Sequence, residues 1–473
     1  MTFAFTFDAS GCSGCKACQA ACKDKNNLPL GVLWRRIYEV GGGEWTNSGG
    51  AWSSSVYAYN LSIACNHCVH PKCAGVCPVN AYTVREDGIV LLDSSKCIGC
   101  GYCAWACPYG APQYDQSKGA MTKCNLCYDN LDAGLPPACV ASCPLRVLDV
   151  KDQVELEMRG FRFQVIFPMP GTSRTEPRVY VKPHPAARQA GQTPEVLNQE
   201  EFAPQRKHSN TWAAREEIPL LFFTLSGQMA AGISWVLGIM VIMGISFSPL
   251  PYLAIGALLG LGLIVSFLHL GSPKNAWRVF GNLHKSWLSR EILAALLFML
   301  CWAICSISFW LPTSLAMGKP LLAGVTGLAG AALIFSMAEV YQLRMVPAWN
   351  TWHTKAAFFL SALILGGFTV GTALALNGTP IVEQTLLLRW LDVGGILFLS
   401  MELSLTYSEK GRTDSAVKRI RDLLSLAGIA GTVLLMFLPV PLRAWIGFVV
   451  FLLILLEEII GRWVFYSNRN PIM

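Results

Sequence analysis

The chain has 473 residues, 37 Lys and Arg against 30 Asp and Glu for a formal charge of +7, and 53% hydrophobic but only 14% charged residues. That length exceeds one ordinary domain, and a mean hydropathy of +0.41 excludes an ordinary soluble composition throughout. The polarity is divided at about Glu217, after which apolar runs dominate, so the positive charge is not read as nucleic-acid affinity; most of the basic residues concerned lie between apolar runs, where they report membrane orientation.

Sixteen of the 18 cysteines fall in four groups before residue 144. They read Cys12-x2-Cys15-x2-Cys18-x3-Cys22, Cys65-x2-Cys68-x4-Cys73-x3-Cys77, Cys97-x2-Cys100-x2-Cys103-x3-Cys107 and Cys124-x2-Cys127-x11-Cys139-x3-Cys143. Three closely spaced thiolates converge on one cubane cluster, and the fourth, three residues on, ligates the partner cluster of a two-cluster ferredoxin. Pro78, Pro108 and Pro144 follow the fourth cysteine as that pattern expects, whereas Lys23 follows Cys22. Zinc is the main rival, but structural zinc takes paired C-x2-C ligands across a longer loop, and three of the groups fit that poorly. Disulfides belong to secreted chains; Met1 to Ser10 has neither a basic start nor a long apolar core, so no export signal is expected.

Ferredoxin logic pairs the first group with the fourth and the second with the third, nesting the inner module in the outer one. The expected ligand sets are Cys12, Cys15, Cys18 and Cys143; Cys22, Cys124, Cys127 and Cys139; Cys65, Cys68, Cys73 and Cys107; and Cys77, Cys97, Cys100 and Cys103. Strands are expected at Trp34–Val40, Val56–Ile63 and Gly88–Leu92, with turns at Gly41–Gly43 and Gly49–Gly50. His67 and His70 read as loop residues. Residues 151–215 hold seven prolines and candidate strands at Phe161–Phe167 and Val179–Val181. They read as an extended linker, or as a strap clamping the cluster domain to a partner.

Eight apolar segments follow, near 218–246, 251–270, 290–311, 320–342, 354–377, 386–407, 422–440 and 442–465, each close to the roughly 20 residues that cross a bilayer. The fold class is thus an α+β double ferredoxin-like iron–sulfur domain (1–150), a proline-rich linker (151–215) and an all-α transmembrane domain of eight helices (216–473). Gly256-x3-Gly260 and Gly324-x2-Gly327 suit close helix packing. Lys274, Arg278, Lys285, Arg290, Arg344, Lys355, Lys410, Arg412, Lys418, Arg419, Arg421, Arg462 and Arg469 fall on the side of the iron–sulfur domain, against Lys319, Arg389 and Arg443 opposite. The positive-inside rule then places both termini and the clusters in the cytoplasm, at a bacterial inner membrane.

Ionisable groups at a membrane helix are costly and usually functional. His269 ends the second segment and Glu291 opens the third. Together they supply the proton acceptor and hydrogen-bond partner a quinone site needs; the bland alternative is a capping His and a Glu paired with Arg290 or a loop lysine. Glu339, Asp392, Glu402, Glu457 and Glu458 read as a proton path or as ion pairs with Arg344, Arg389 and Arg462. Cys301 and Cys305 read as small hydrophobes. No CxxCH occurs, and no haem is expected.

The cysteine array, over residues 1 to about 190, resembles the four-cluster iron–sulfur subunits of the dimethyl sulfoxide reductase superfamily of molybdenum enzymes. Respiratory nitrate reductases of that group carry Trp at the position of Cys100 and a three-iron cluster; Cys here implies four cubanes. Residues 216–473 are similar to the dimethyl sulfoxide reductase anchor subunit, through His269-Leu-Gly-Ser-Pro-Lys-Asn-Ala-Trp-Arg278, Ser286-Trp-Leu-Ser-Arg-Glu291, Val346-Pro-Ala-Trp-Asn350 and Glu217-Ile-Pro-Leu-Leu-Phe-Phe223. The resemblance implies a quinone role for His269 and Glu291, and a partner subunit carrying a molybdenum bis-pterin cofactor. The expected function is a relay between that subunit and the quinone pool, serving sulfite oxidation or, alternatively, quinol-driven S-oxide or N-oxide reduction. A redox-driven ion pump is the alternative of another class.

Overall fold

The computed structural model describes residues 1–158, 164–170, 175–188, 195–198, 218–247, 250–268, 270–309, 318–344, 346–376, 382–408 and 415–467. His269 and the expected strand start at Phe161 lie outside the described residues. By compactness the chain forms two units: Met1–Ser209 with Leu270–Ser286 and Asn470–Met473, and Asn210–His269 with Trp287–Arg469.

The first unit is built on two small three-stranded sheets. Phe3–Asp8 lies between Leu148–Asp152, antiparallel with Phe3 opposite Asp152, and Val179–Lys182, parallel with Phe5 opposite Val179. Arg36–Gly42 lies between Tyr57–Ile63 and Glu195–Val196, antiparallel to both. The core between them holds Phe5, Phe7, Ile37, Val40, Leu61 and Ile63, interleaved with buried cysteines. Sheets this small bury little apolar surface, so the unit depends on what fills its cysteine cradles. Three hairpins, among them Tyr82–Val84 with Val90–Leu92, complete it.

The four cysteine groups share a backbone device. The residue two after the first cysteine is left-handed in each: Gly14 (φ 71°), His67 (42°), Gly99 (72°) and Leu126 (60°). That step turns the chain so that the next thiol faces the same way as the first. Glycine adopts it freely, while His67 and Leu126 do so against the cost that a Cβ imposes. Short helices then carry the later cysteines: Ala17–Lys25, Lys72–Val76, Tyr102–Ala106 and Ala138–Ala141.

The second unit contains eight long helices among the described residues: Ile218–Ile242, Leu250–Leu268, Trp287–Ser308, Lys319–Val340, Trp352–Leu376, Val382–Ser408, Ser415–Leu435 and Val440–Ser467. Six are long and apolar enough to cross a membrane, making this a multi-pass membrane protein. The sixth and seventh are not: one carries Arg389, Asp392 and Glu402, the other Lys418, Arg419, Arg421 and Asp422. The expectation of eight apolar crossings is therefore met by eight helices but only six apolar ones. The seventh helix also begins seven residues before the expected 422, which puts Lys418, Arg419 and Arg421 on a helix rather than in a loop.

The first and fifth helices meet backbone to backbone. A Cβ at Gly232 would stand 1.8 Å from Ala362 O, and one at Gly366 would stand 2.1 Å from Gly232 C. The pairs expected to make such crossings do less: Gly256 faces the Trp302 ring, while Gly260 and Gly324 face open space. Leu253, Leu261, Ile264, Leu296, Leu300 and Ile304 are among the many exposed apolar residues on these helices, as a lipid-facing surface requires.

Candidate functional site: a line of cysteine quartets and a membrane anchor

The fold brings the cysteines of the four groups close to one another. Cys12, Cys15, Cys18 and Cys143 line one pocket, with Phe7, Ile37 and Leu148 in its wall. Cys65, Cys68, Cys73 and Cys107 line a second. Cys22 stands near Cys127 and Cys139, and Cys124 near Cys22 and Cys139. Cys100 stands near Cys77 and Cys97, with Cys103 near Cys97 and Cys100.

Successive quartets pack against one another. Cys18, Cys22, Cys139 and Cys143 share one packed cluster, which joins the first quartet to the second. Cys18 and Cys22 are one turn apart on the same helix face, so Ala17–Lys25 serves both. Cys65 and Cys124 pack together with Ala64 and Ala111, joining the second quartet to the third. Cys73, Cys97 and Cys103 pack together with Met121, joining the third to the fourth.

The thiols suit a multi-iron cluster better than a single metal ion. Tetrahedral zinc, with Zn–S of about 2.3 Å, holds its sulfurs about 3.8 Å apart. Among the described residues, no three of these thiols have their sulfurs within 4.8 Å of one another. Burial pushes the thiols of Cys22 and Cys100 up to about 12 and that of Cys107 up to about 11, with neighbouring thiols adding to the effect. A bound metal centre reverses that penalty by taking the thiolate form. Arg35 is 2% exposed, and its Nε and Nη2 have no hydrogen-bond partner. The thiols of Cys139, Cys18, Cys124 and Cys22 lie within electrostatic reach of it, so an orphaned guanidinium marks a place for negative charge. The residues present fit iron–sulfur clusters.

Residues 270–286, which join the second and third long helices, belong to the first unit and lie on the fourth quartet. Asn282 Nδ2 donates to Cys77 O at 2.6 Å and Ser286 Oγ to Val76 O at 2.9 Å. Asn275 Nδ2 donates to Ser95 O at 2.8 Å and Cys97 O at 3.1 Å. Ser272 N donates to Ile98 O, and its Oγ to Gly119 O, both at 3.0 Å. A Cβ at Gly271 would stand 2.3 Å from Gly119 O, so only glycine fits there.

In the second unit Glu291 is 4% exposed, on the second turn of the Trp287–Ser308 helix, and the Arg290 guanidinium lies 4.3 Å from the centre of the Trp287 ring. The other carboxylates fall into separate sets. Glu339 pairs with Lys355, and Asp392 with Arg443 at 2.7 Å. Arg421 pairs with both Glu402 and Glu457 at 2.7 Å, and Ser361 Oγ donates to Glu458 at 2.8 Å. The partners expected from sequence, Arg344 and Arg389, are not the ones used for Glu339 and Asp392. Of the residues counted above among orientation charges, Arg443 and Arg462 are buried and Arg421 is half-buried. Cys305 Sγ lies 3.8 Å from the Tyr252 hydroxyl.

Residues 56–153 match the profile of a 4Fe-4S dicluster domain, and residues 212–467 that of the DMSO reductase anchor subunit (DmsC). This protein belongs to the DMSO reductase anchor-subunit family. Its first part is similar to one chain of the anaerobic dimethyl sulfoxide reductase of Escherichia coli K12, 48% identical over 191 residues, which are 40% of this protein and 93% of that one. The same-named chain of Haemophilus influenzae is 46% identical over 192 residues, 40% of this protein and 94% of that one. The formate dehydrogenase iron–sulfur subunit of Wolinella succinogenes is 37% identical over 176 residues, 33% of this protein and 83% of that one. The chain is thus an electron-transfer iron–sulfur subunit fused to its membrane anchor, within a DMSO reductase-family oxidoreductase complex.

Three features of this fused subunit escaped the sequence reading. Arg35 follows Trp34 where a strand was expected, and nothing marks it as buried. His67 is fully enclosed: its Nδ1 accepts from Val90 N at 3.0 Å, and burial, helped by Lys123, Arg178 and Arg35, holds it well below its usual range. Lys123 is 3% exposed and donates from Nζ to the carbonyls of Val90 and Cys124. A basic residue beside a ligand cysteine was the only available hint.

Proposed function

We propose that this chain relays electrons between a catalytic molybdenum subunit and the quinone pool. Each cysteine quartet holds one [4Fe-4S] cluster through its four thiolates, and bound clusters of this kind supply one-electron carriers. The observation that carries the reading is the packing of successive quartets, with residues 270–286 gripping the fourth. Those residues run in sequence from His269 to the helix of Glu291. Oxidation of the quinol releases two protons: His269 accepts one, and Glu291, held away from water, bonds the second ring oxygen and accepts the other. The eight long helices all cross the bilayer, the sixth and seventh by pairing their charges with neighbouring helices. The partner subunit carries the molybdenum bis-pterin cofactor and the substrate site.

The direction best supported is quinol oxidation feeding reduction of an S-oxide, given the 48% identity to a dimethyl sulfoxide reductase chain. A second reading, sulfite oxidation with quinone reduction, draws on the bias of basic residues, which under the positive-inside rule supports a cytoplasmic iron–sulfur domain and cytoplasmic termini at a bacterial inner membrane. Membranes containing the chain and its co-purifying partner test both. A reduced quinol analogue is expected to reduce the clusters, seen by EPR, and Glu291→Gln and His269→Leu to slow this at unchanged iron content. Reoxidation by dimethyl sulfoxide supports the first direction, and cluster reduction by sulfite the second. Full quinol reduction in both variants would refute the quinone site.

A further inference from the structure

The first cysteine module contains a buried cation whose charge no carboxylate among the described residues neutralises. Arg35 is 2% exposed. Nη1 donates to Ser62 Oγ at 3.1 Å, and the guanidinium lies 4.5 Å from the centre of the Phe5 ring. Of its five N–H donors, the three on Nε and Nη2 have no partner. No carboxylate pairs with it among the described residues. A guanidinium taken out of water needs both charge compensation and acceptors, and a serine and an aromatic face supply neither in full.

What surrounds Arg35 is sulfur from two quartets at once: Cys18 of the first, and Cys22, Cys124 and Cys139 of the second. Ser62 Oγ, which accepts from Arg35, also lies 3.5 Å from Cys18 Sγ. The backbone N–H of Arg35 reaches Cys22 Sγ. The residue therefore stands between the two quartets, reaching Cys22 through its backbone and Cys18 through Ser62. Lys123, near the inner quartets, differs: it spends its donors on the carbonyls of Val90 and Cys124.

We propose that Arg35 sets the reduction potentials of the two outer clusters together. The inference rests on the cluster assignment above. Reducing a cubane adds a negative charge inside the protein. A fixed cation beside it favours the reduced form, and hydrogen bonds to the sulfurs act in the same direction. One arginine shared by two adjacent carriers raises both potentials in step, which keeps the transfer between them near balance. It also explains why the donors are left orphaned by the polypeptide: they face the inorganic sulfur and thiolates of the filled cradles.

The test is a potentiometric EPR titration of the full chain with its partner, in wild type, Arg35→Met and Arg35→Lys. Wild type must first show four clusters, since fewer would overturn the assignment itself rather than the role of Arg35. With four present, Arg35→Met is expected to move two of the four midpoint potentials to more negative values and leave the other two in place. Arg35→Lys, which keeps the charge but not the fork, is expected to return them most of the way. Loss of two clusters in Arg35→Met with all four retained in Arg35→Lys also supports a charge role. Unmoved potentials, an equal shift of all four, or loss of the same clusters in both variants would overturn the proposal.

Discussion

Asn282 offers the sharpest test of how residues 270–286 serve the fourth quartet. Its amide donates to the carbonyl of the ligand Cys77 at 2.6 Å, and the residue is 5% exposed. In Asn282→Ala the carbonyl loses its donor in a site too enclosed for easy replacement by water. An orphaned buried acceptor costs about 1–3 kcal/mol. That cost falls on one short stretch, Val76 to Pro78, and lowers the free energy of local opening rather than global stability. At about 0.59 kcal/mol for RT, the open form at Cys77 becomes about 5- to 150-fold more populated. Chelator attack under anaerobic conditions reads that population when opening is fast. The EPR signal of one cluster should therefore decay about 5- to 150-fold faster in the variant, while the other three keep their wild-type rates. Equal acceleration of all four signals would mean that Asn282 supports the whole unit. No acceleration would mean that the contact contributes nothing at Cys77.

In the membrane half, Arg443→Met strands the buried carboxylate of Asp392 and should destabilise by about 3–5 kcal/mol, while adding Asp392→Leu should recover most of the loss. Thermal aggregation in detergent, followed by size-exclusion, compares the two; a double variant no better than the single one would remove the pair from the account. Arg421→Met should be more damaging than Arg443→Met by the same assay, because it strips the partner of both Glu402 and Glu457. Gly366→Val should abolish the monodisperse peak, since its Cβ meets backbone at 2.1 Å and nothing can give way, whereas Gly260→Ala, facing open space, should be silent.

An iron–sulfur domain was legible because ligand spacing is local chemistry: three thiols within one turn and a helix, then a fourth one turn further, have few ways to be used. The strands at Val56–Ile63 and Gly88–Leu92 were legible for a similar reason, as short β-prone runs lying among the ligand groups, and they appear as Tyr57–Ile63 and Val90–Leu92. What was not legible depends on partners distant in sequence. Arg35 looks like any basic residue near a strand until Phe5, Ser62 and Cys139 close over it. The sixth and seventh long helices read as ordinary apolar spans. Several of their charges pair between helices: Arg443 on the eighth helix reaches Asp392, and Arg421 on the seventh reaches Glu402 on the sixth and Glu457 on the eighth. Glycine pairs misled for the same reason: Gly256-x3-Gly260 has the right period, yet the close crossing falls at Gly232 and Gly366, set by the facing helix.

The nested order of the cysteine groups also has a physical consequence. Had the four groups paired as consecutive neighbours, each module would be a local hairpin, and nothing in the connectivity would hold the two together. Nesting instead ties the inner module to the outer one by two chain crossings. Cys22 to Cys65 leads in and Cys107 to Cys124 leads out, and Cys65 and Cys124 end packed in one cluster. The passage between modules is thus built from the polypeptide's own connections rather than from a docking face that could loosen. At the far end of the line there is no further cysteine group to pack on, and residues 270–286 occupy that position, with Asn275 and Asn282 on the backbone of Cys97 and Cys77. In a two-chain arrangement those contacts would depend on association between subunits. Fusion makes them intramolecular, so their occupancy no longer depends on subunit concentration. Asn275→Ala and Asn282→Ala should therefore alter the fourth cluster without releasing the membrane helices from the iron–sulfur unit, whereas in a two-chain homologue the equivalent changes should also weaken co-purification of the two subunits.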